Sequence, residues 1–442
     1  MWCTAVFARL AAEAAPSSDV HFCLIFQTRV DEETVGVAEA MEGLRDIEYL
    51  PEPSDRRIVS AVDPTVIGFQ DQWRSETMGW APLTVEPVAR PMRRRFSISG
   101  VVVLALLISA SVLMWQNQWL VVELPQPASE WAFEQTELRE MQSSGLSGEG
   151  VRVCMVDTGV DAQHDAFSTT EFTFKDLVGA SKEPVDYGAV AHGTLMTGLL
   201  LSNDTTQRGA APNVSFAMVA ALSDNGQGEN TGLDSDVADA IRWCQFEFQA
   251  DIISLSLGGT EEADATEDGS SAATRQATDA GIYVVAAAGN DGLDDDGDVA
   301  SPGSVELAIS VGATTRDGAV WANSSSGSLT DKNGDVRAHP HMKPEVVAPG
   351  ERIISTGEDN LWYSSSGSSD ATVFVTGALA LILEDQPGLK PQPGGNASCL
   401  VEVKQALLES LGEGDGVHDP RSGYGLLSTS VWLSKARDIP SC

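Results

Sequence analysis

Basic residues are scarce in this chain of 442 residues. It has 27 Lys and Arg against 64 Asp and Glu, so its formal net charge is -37. The phosphates of DNA or RNA would repel so acidic a surface, and the composition therefore argues strongly against a nucleic-acid-binding protein. An excess of acid is typical of a well-solvated surface. It also suits a salt-rich habitat, where screening weakens the repulsion between like charges.

Cysteines with metal-binding spacing are also lacking. The chain has 6 Cys, and no two of them form a Cys-x-x-Cys pair, so a zinc site is not expected. Cys154 lies in an apolar run and is interpreted as an inert core thiol rather than a catalytic one. Cys399 and Cys442 flank the C-terminal region, where a bridge outside the cell and two free thiols are equally compatible with the sequence.

One long run has no charged residue, from Phe96 to Trp115. About 20 apolar residues suffice to cross a bilayer core, and the run predicts a single transmembrane helix at 96–116. Arg93, Arg94 and Arg95 precede it, which by the positive-inside rule places the N-terminus in the cytoplasm. The sequence therefore predicts a single-pass protein of the cell membrane whose larger part lies outside the cytoplasm.

The predicted helix divides the chain into further segments. Residues 1–95 would be a cytoplasmic region of unknown role, folded as a small α+β unit or partly disordered. A stalk or linker with a short helix is expected at 117–146, the main domain at 147–435 and a C-terminal tail at 436–442.

Strand-like and helix-like runs alternate from residue 150 onward. Near-continuous apolar runs that predict strands are Val151–Val156, Val214–Ala220, Asp251–Leu257, Ile282–Ala288 and Leu307–Val311. Predicted helices are His192–Leu201, Ser235–Phe248, Ala272–Ala280 and Ser369–Glu384. This alternation indicates an α/β domain of three layers with a mostly parallel sheet, covered by helices on both faces.

Three motifs carry a possible charge system of Asp157, His192 and Ser369, in that chain order. Asp157 follows a predicted strand, at the edge of a parallel sheet where active groups collect. A carboxylate there can orient an imidazole and stabilise its cation, while His192 takes the proton of a nucleophilic Ser369 and passes it to the leaving amine. Ser369 opens a long apolar helix, whose N-terminus favours a developing negative charge.

A fourth residue, Asn290, ends a predicted strand and can aim its side-chain amide at an oxyanion. The simpler interpretations are a helix-capping serine and a turn-forming asparagine, and the ordered set of motifs argues against both. Asp157-Thr158-Gly159 is also compatible with an aspartic protease. That class needs two such carboxylates, however, and the chain has no second copy of the motif.

The region from about 147 to 435 resembles the subtilisin family (subtilases) of serine proteases. Val156–Gly159, His192–Thr194, Ala288–Asn290 and Gly367–Ser369 carry the resemblance, together with Gly209–Asn213 and Lys343–Gly350. It implies an endopeptidase that acts on protein or peptide substrates through an acyl-enzyme, with no cofactor required for the chemistry. It also implies that Gly226, Gln227 and Gly228 pair with an extended substrate, and that Ser256, Leu257, Gly258, Ala288 and Gly289 line the primary specificity pocket.

The chain departs from the family pattern around the nucleophile. The family usually has Gly-Thr-Ser-Met-Ala-x-Pro, whereas here Asp370 follows Ser369 and Val373 replaces the proline. A catalytically impaired, peptide-binding relative is therefore the alternative function. As a charge close to the imidazole, Asp370 is expected to raise the pKa of His192.

An acidic loop carries Asp294, Asp296 and Asp298. Alternating carboxylates next to a glycine suit a hard cation with oxygen ligands, so a structural calcium ion is one interpretation. A plain solvated loop is the other.

Overall fold

The computed structural model describes residues 128–440 except 260–267, 293–296, 332–333 and 412–416, together with residues 105 and 109. Apart from those two, everything described falls within one compact unit, Val122–Cys442. The regions predicted at 1–95 and, but for 105 and 109, at 96–116 lie outside the described residues. Within the described part of the chain, no helix combines the length and the apolar character needed to cross a membrane.

The strands of the described residues are mostly short and apolar. They are β1 (Arg152–Asp157), β2 (Phe172–Asp176), β3 (Ser215–Ala220), β4 (Ser223–Asp224), β5 (Asn230–Thr231), β6 (Ile252–Leu255), β7 (Tyr283–Ala287), β8 (Ile309–Thr314), β9 (Val346–Pro349), β10 (Ile353–Thr356) and β11 (Trp362–Ser365).

The helices of the same residues are α1 (Glu130–Gln135), α2 (Leu138–Ser143), α3 (His192–Leu201), α4 (Asp234–Trp243), α5 (Gly269–Asp279), α6 (Ser368–Asp385), α7 (Ser398–Ser410) and α8 (Thr429–Ala436). A π-helical turn, Cys244–Phe248, continues α4.

A parallel sheet forms the centre of the domain. Within the described residues it has 7 strands in the order β2-β3-β1-β6-β7-β8-β9. Each neighbouring pair runs parallel, with Val153 of β1, for example, opposite Phe216 on one side and Ile252 on the other. The predicted mostly parallel sheet is therefore confirmed. Two antiparallel hairpins, β4–β5 and β10–β11, lie outside it.

Alternate residues of β1 pack into two separate cores. Val153 and Met155 belong to one apolar cluster, whereas Cys154 and Val156 belong to the other. Successive side chains of a strand point to opposite faces, so the sheet is covered on both. This arrangement is the predicted three-layer architecture.

Helix α6 lies inside one of these layers. It has 18 residues, and nearly all of them are buried. A helix that is apolar on all sides belongs in a core rather than at a surface. It packs against strands β6, β7, β8 and β9 and against α3, and so its first turn is held next to the sheet.

The segment expected to be a stalk contributes to the domain. Phe133 of α1 is buried and meets Phe374 of α6 edge-on, with ring centroids 4.9 Å apart. The side-chain amide of Gln142 in α2 donates to the carbonyl oxygens of Gly209 and Ala210 at 2.7 and 2.9 Å. The folded unit therefore includes α1 and α2, ahead of the boundary expected at 147.

The interpretation of Cys154 as a free core thiol is wrong. Cys154 of β1 forms a disulfide with Cys244, at the end of α4, and both residues are fully buried. They are 90 residues apart in the chain, which is why spacing did not reveal the pair. Cys399 is disulfide-bonded as well; Cys442, the partner considered from the sequence, lies outside the described residues.

A buried cluster of charges fixes the start of β9. Lys343, Glu345 and Lys404 are fully buried, and both ammonium groups contact the same oxygen of Glu345, at 2.9 and 2.6 Å. The other oxygen of Glu345 accepts from the N–H of Ser310 in β8 at 2.7 Å. Burial raises the pKa of Glu345, but the two lysines outweigh it and hold that pKa below its usual value.

Candidate active site

The predicted catalytic residues lie at the carboxyl ends of strands or at the first turns of helices. Asp157 is the last residue of β1, and Asn290 follows β7 by three positions. His192 is the first residue of α3, and Ser369 is the second residue of α6.

Asp157 and His192 form a hydrogen-bonded pair. Nδ1 of His192 lies 2.8 Å from Oδ1 of Asp157, which also accepts from the N–H of Thr158 at 2.7 Å. The side chain of Asp157 is fully buried, whereas that of His192 is 22% exposed. This geometry fixes the ring and leaves its other nitrogen, Nε2, for proton transfer.

The charges around His192 favour its cationic form. Burial lowers the pKa of His192, but the charge and hydrogen bond of Asp157, together with the charges of Asp370 and Asp186, outweigh burial and raise it to about 9. The expectation that Asp370 raises the pKa of His192 therefore agrees with the structure in direction.

Ser369 is held against Ser256, the residue that directly follows β6. Its Oγ donates to the carbonyl oxygen of Ser256 at 3.0 Å, and the hydroxyl of Ser256 donates to the carbonyl oxygen of Ser369 at 3.2 Å. No hydrogen bond joins Ser369 to His192 among the described residues. Such bonds are often long in substrate-free enzymes and tighten when substrate binds.

Asn290 is oriented by the residue before the predicted nucleophile, Ser369. Its Oδ1 accepts from the N–H of Ser368 at 2.8 Å and from the hydroxyl of Ser368 at 3.0 Å. The amide is thereby turned with its oxygen toward α6. Its Nδ2 group makes no hydrogen bond within the described residues and is available to an oxyanion. The N–H of Ser369, in the first turn of α6, is a second donor in the same place.

Asp186, a carboxylate that the sequence did not single out, stabilises the positions of Asp157 and His192. Asp186 accepts from the hydroxyl of Thr158 at 2.6 Å and, through its other oxygen, from the N–H and the hydroxyl of Thr194 at 2.8 and 2.7 Å. It therefore ties the exit of β1 to the first turn of α3. No sequence signal marked Asp186, because it lies in an irregular segment and bonds residues that are distant in the chain.

Gly193 lets these two elements approach closely. A Cβ atom added at Gly193 would lie 2.1 Å from the carbonyl oxygen of Gly159. Any larger residue would push α3 away from β1, and with it His192 from Asp157.

The residues expected to line the pocket come together at the ends of neighbouring strands. Ser256, Leu257 and Gly258 follow β6, and Ala288 and Gly289 follow β7, which pairs with β6. Cβ atoms added at Gly258 and Gly289 would lie 2.7 and 3.2 Å from the methyl group of Ala300. Ala300 is therefore next to both walls, and none of these residues carries a charge.

The segment expected to pair with substrate is the tip of the β4–β5 hairpin. The N–H groups of Gly226 and Gly228 both donate to Oδ1 of Asp224, at 2.8 and 3.1 Å. Gln227 between them is exposed. Asn230 accepts from the N–H of Ala189 at 2.7 Å, which holds the hairpin beside the segment that leads to His192.

The calcium ion expected at Asp298 stays a prediction, and the structure shows which groups Asp298 contacts. Its carboxylate is engaged by Arg337, with contacts of 2.5 and 2.9 Å, and accepts from the N–H of Ser328 at 3.0 Å. Asp294 and Asp296 lie outside the described residues. In the part of the chain that is described, no group of His, Cys, Asp and Glu is arranged to hold a metal ion.

Comparison with known proteins finds similarity over the region that contains these residues. A family model described as the subtilase family matches residues 148–425. The chain is 31% identical over 304 residues to the serine protease AprX of Bacillus subtilis (strain 168), covering 62% of this chain and 65% of that protein. It is 32% identical over 256 residues to subtilisin DY of Bacillus licheniformis, covering 57% of this chain and 82% of that one.

A solved structure is similar as well. The crystal structure of a cold adapted subtilisin-like serine proteinase superposes with a TM-score of 0.50 at 27% sequence identity, covering 64% of this chain and 90% of that one.

Proposed function

The chain belongs to the subtilase family, its family domain is a subtilisin-like serine endopeptidase, and we propose that the whole protein is a membrane-anchored endopeptidase that cleaves proteins or peptides outside the cytoplasm. The observation that supports endopeptidase activity most directly is the hydrogen bond between Asp157, at the end of β1, and His192, at the start of α3.

In the proposed reaction, Ser369 attacks the scissile carbonyl carbon. His192 accepts the hydroxyl proton at Nε2, and Asp157 stabilises the imidazolium ion that results. The carbonyl oxygen becomes an oxyanion between Nδ2 of Asn290 and the N–H of Ser369. The leaving amine takes the proton from His192, and an acyl-enzyme remains. Water then attacks the acyl-enzyme with His192 again as the base, and the acid product leaves Ser369.

Before attack, the hydroxyl of Ser369 must turn from Ser256 toward His192. A carbonyl oxygen has two lone pairs, so Ser256 can hold the hydroxyl without excluding a substrate N–H. The turn costs one hydrogen bond, a small term beside the stabilisation that an oxyanion site supplies.

The substrate would bind as an extended segment between the β4–β5 tip and the strand end at Ser256–Gly258. The uncharged walls of the pocket, with Ala300 beside Gly258 and Gly289, favour an apolar or aromatic side chain before the scissile bond. Asp224 holds the two glycine N–H groups of the tip, so a pairing strand has to displace it.

Anchoring through 96–116 is proposed from the uncharged run and the arginines before it. The disulfide between Cys154 and Cys244 supports a domain outside the cytoplasm, since such bonds persist in oxidising compartments. A structural calcium ion stays a prediction for Asp294, Asp296 and Asp298, and at Asp298 it would have to compete with Arg337 for the carboxylate.

The alternative, a catalytically impaired relative that only binds peptides, is less well supported. The two relatives named above are a serine protease and a subtilisin by name, and the pair of Asp157 and His192 is intact. Asp370 is the departure that keeps the alternative testable.

A serine-directed fluorophosphonate probe separates the two functions. The full chain should be labelled at Ser369, and Ser369→Ala should remove both the label and peptide cleavage while the unfolding transition is unchanged. Ser143→Ala, at an exposed serine that bonds only its own helix, is the matched control and should keep both. An unlabelled wild-type protein with a normal unfolding transition would support the peptide-binding alternative.

A further inference from the structure

Asp370 adds a buried carboxylate to the first turn of α6, and α6 packs against α3, the helix that begins at His192. Asp370 follows Ser369 in the first turn of α6 and is only 1% exposed. Its Oδ1 accepts from the hydroxyl of Ser365, the last residue of β11, at 2.5 Å. The β10–β11 hairpin therefore fixes where this carboxylate lies.

Three carboxylates act on His192, each from a different element. Asp157 at the end of β1 bonds the ring directly, Asp186 lies in the segment before α3, and Asp370 is on α6. Asp186 is engaged by Thr158 and Thr194, as described above. Asp370 makes no ion pair within 4 Å of His192 among the described residues, so it acts through space.

We propose that Asp370, held by Ser365, is a positioning residue that favours the protonated form of His192 in the free enzyme and so moves the onset of peptidase activity to higher pH. The inference rests on the proposed function, because it concerns the imidazole that would accept the proton of Ser369.

The direction follows from the state that catalysis needs. A general base must be neutral, and a nearby negative charge makes the loss of its proton harder. Burial raises the pKa of Asp370 to about 7, although the hydrogen bond from Ser365 and the charge of His192 lower it. Above that pH the carboxylate is charged and holds the proton on His192; below it, Asp370 is neutral and no longer does so.

Ser365 provides a graded test of the same effect. Its hydroxyl stabilises the charged carboxylate of Asp370, so its loss keeps Asp370 neutral to higher pH. Ser365→Ala should therefore lower the onset of activity in the same direction as Asp370→Asn, but by less. A purely structural role for Asp370 would not give this order.

The experiment measures fluorophosphonate labelling of Ser369 against pH in the full chain. The variants are Asp370→Asn, Asp370→Glu and Ser365→Ala, with Asp239→Asn as the control for removing one exposed carboxylate, which pairs with Arg242 on α4. Asp370→Asn should move the acid limb down by about half to one pH unit and speed labelling below the limb roughly 3- to 10-fold. Asp370→Glu should keep most of the wild-type limb, and Asp239→Asn all of it.

An NMR titration of the His192 ring, in protein labelled at histidine and assigned with His192→Ala, reads the same shift without catalysis. If the wild type is not labelled but the ring titrates lower in Asp370→Asn, the proposed function is wrong and this inference holds. An unmoved ring titration in both Asp370→Asn and Ser365→Ala would overturn the inference while leaving the peptidase intact. So would an equal shift in Asp239→Asn.

Discussion

The side-chain oxygen of Asn290 accepts two hydrogen bonds from Ser368, the residue directly before the proposed nucleophile. This pair determines which end of the amide faces the carbonyl oxygen of a substrate, because the oxygen is engaged and only the Nδ2 group remains. Ser368 in turn accepts from the N–H of Gly289 at 3.1 Å, which connects the pocket wall to the oxyanion site.

Replacing Asn290 by alanine should therefore lower kcat and leave KM nearly unchanged. The donor acts only on the charge that develops in the transition state, and losing it should reduce kcat about 10²- to 10³-fold. Steady-state kinetics on one peptide substrate measure both constants. Ser368→Ala is the comparison, because it removes one of the two hydrogen bonds to the amide oxygen, keeps the backbone one and the amide itself, and should cost less. An effect confined to KM would mean that Asn290 contacts substrate instead.

The pH profile should reveal the carboxylate that bonds His192. With the pKa of His192 raised to about 9, wild-type kcat/KM should rise with pH through a limb near pH 9. Asp157→Asn removes the charge and replaces one carboxylate oxygen by an NH2 donor, so this limb should move to lower pH while kcat falls about 10⁴-fold. A limb that stays in place would show that another group controls it.

Asp186 should matter for both stability and turnover. Asp186→Asn presents an amide group to donors at Thr158 and Thr194, and an unsatisfied buried donor costs about 1–3 kcal/mol. We expect a loss of unfolding free energy of about 2 kcal/mol and a fall in kcat larger than any rise in KM, measured by urea titration and kinetics. Asp204→Asn, whose carboxylate bonds only its own turn, is the control. Wild-type kcat in Asp186→Asn would contradict a bracing role.

The buried charge cluster should make one substitution costly. Glu345→Gln leaves two buried lysines without their shared partner, and breaking such a pair costs about 3–5 kcal/mol. Glu409→Gln makes the same chemical change at an exposed pair with Lys435 and should cost less than about 1 kcal/mol. Urea unfolding of the two variants gives the comparison, and similar losses in both would refute the buried cluster.

Membrane topology can be tested in intact cells. A reagent that does not cross membranes should label a tag at the C-terminus and should not reach a tag at Met1, because the arginines before residue 96 favour the cytoplasmic side. Labelling of both tags after the cells are opened is the control for accessibility. A tag at Met1 that is labelled from outside would overturn the topology.

The sequence predicted the strands that are buried on both faces. β1, β3, β6, β7 and β8 coincide with continuous apolar runs, because a central strand of a covered parallel sheet has no polar side. It did not predict β2 or β9. β2 lies at the sheet edge and is half exposed, and β9 has only four residues and ends in proline, so neither gives a long apolar run.

The four predicted catalytic residues belong to short contiguous motifs at or near the ends of strands and helices. Such motifs can be recognised in the sequence alone. The features that the sequence did not reveal depend on contacts between residues that are distant in the chain. The disulfide between Cys154 and Cys244, the capture of Asp298 by Arg337 and the brace of Asp186 all join segments that only the folded sheet brings together. The sequence showed that a charged residue, Asp370, follows Ser369. It did not show the hydrogen bond from Ser365 that fixes this carboxylate, because that bond depends on the β10–β11 hairpin. A carboxylate's identity is in the sequence, whereas its partners, and hence its charge at a given pH, depend on burial and distance in the folded chain.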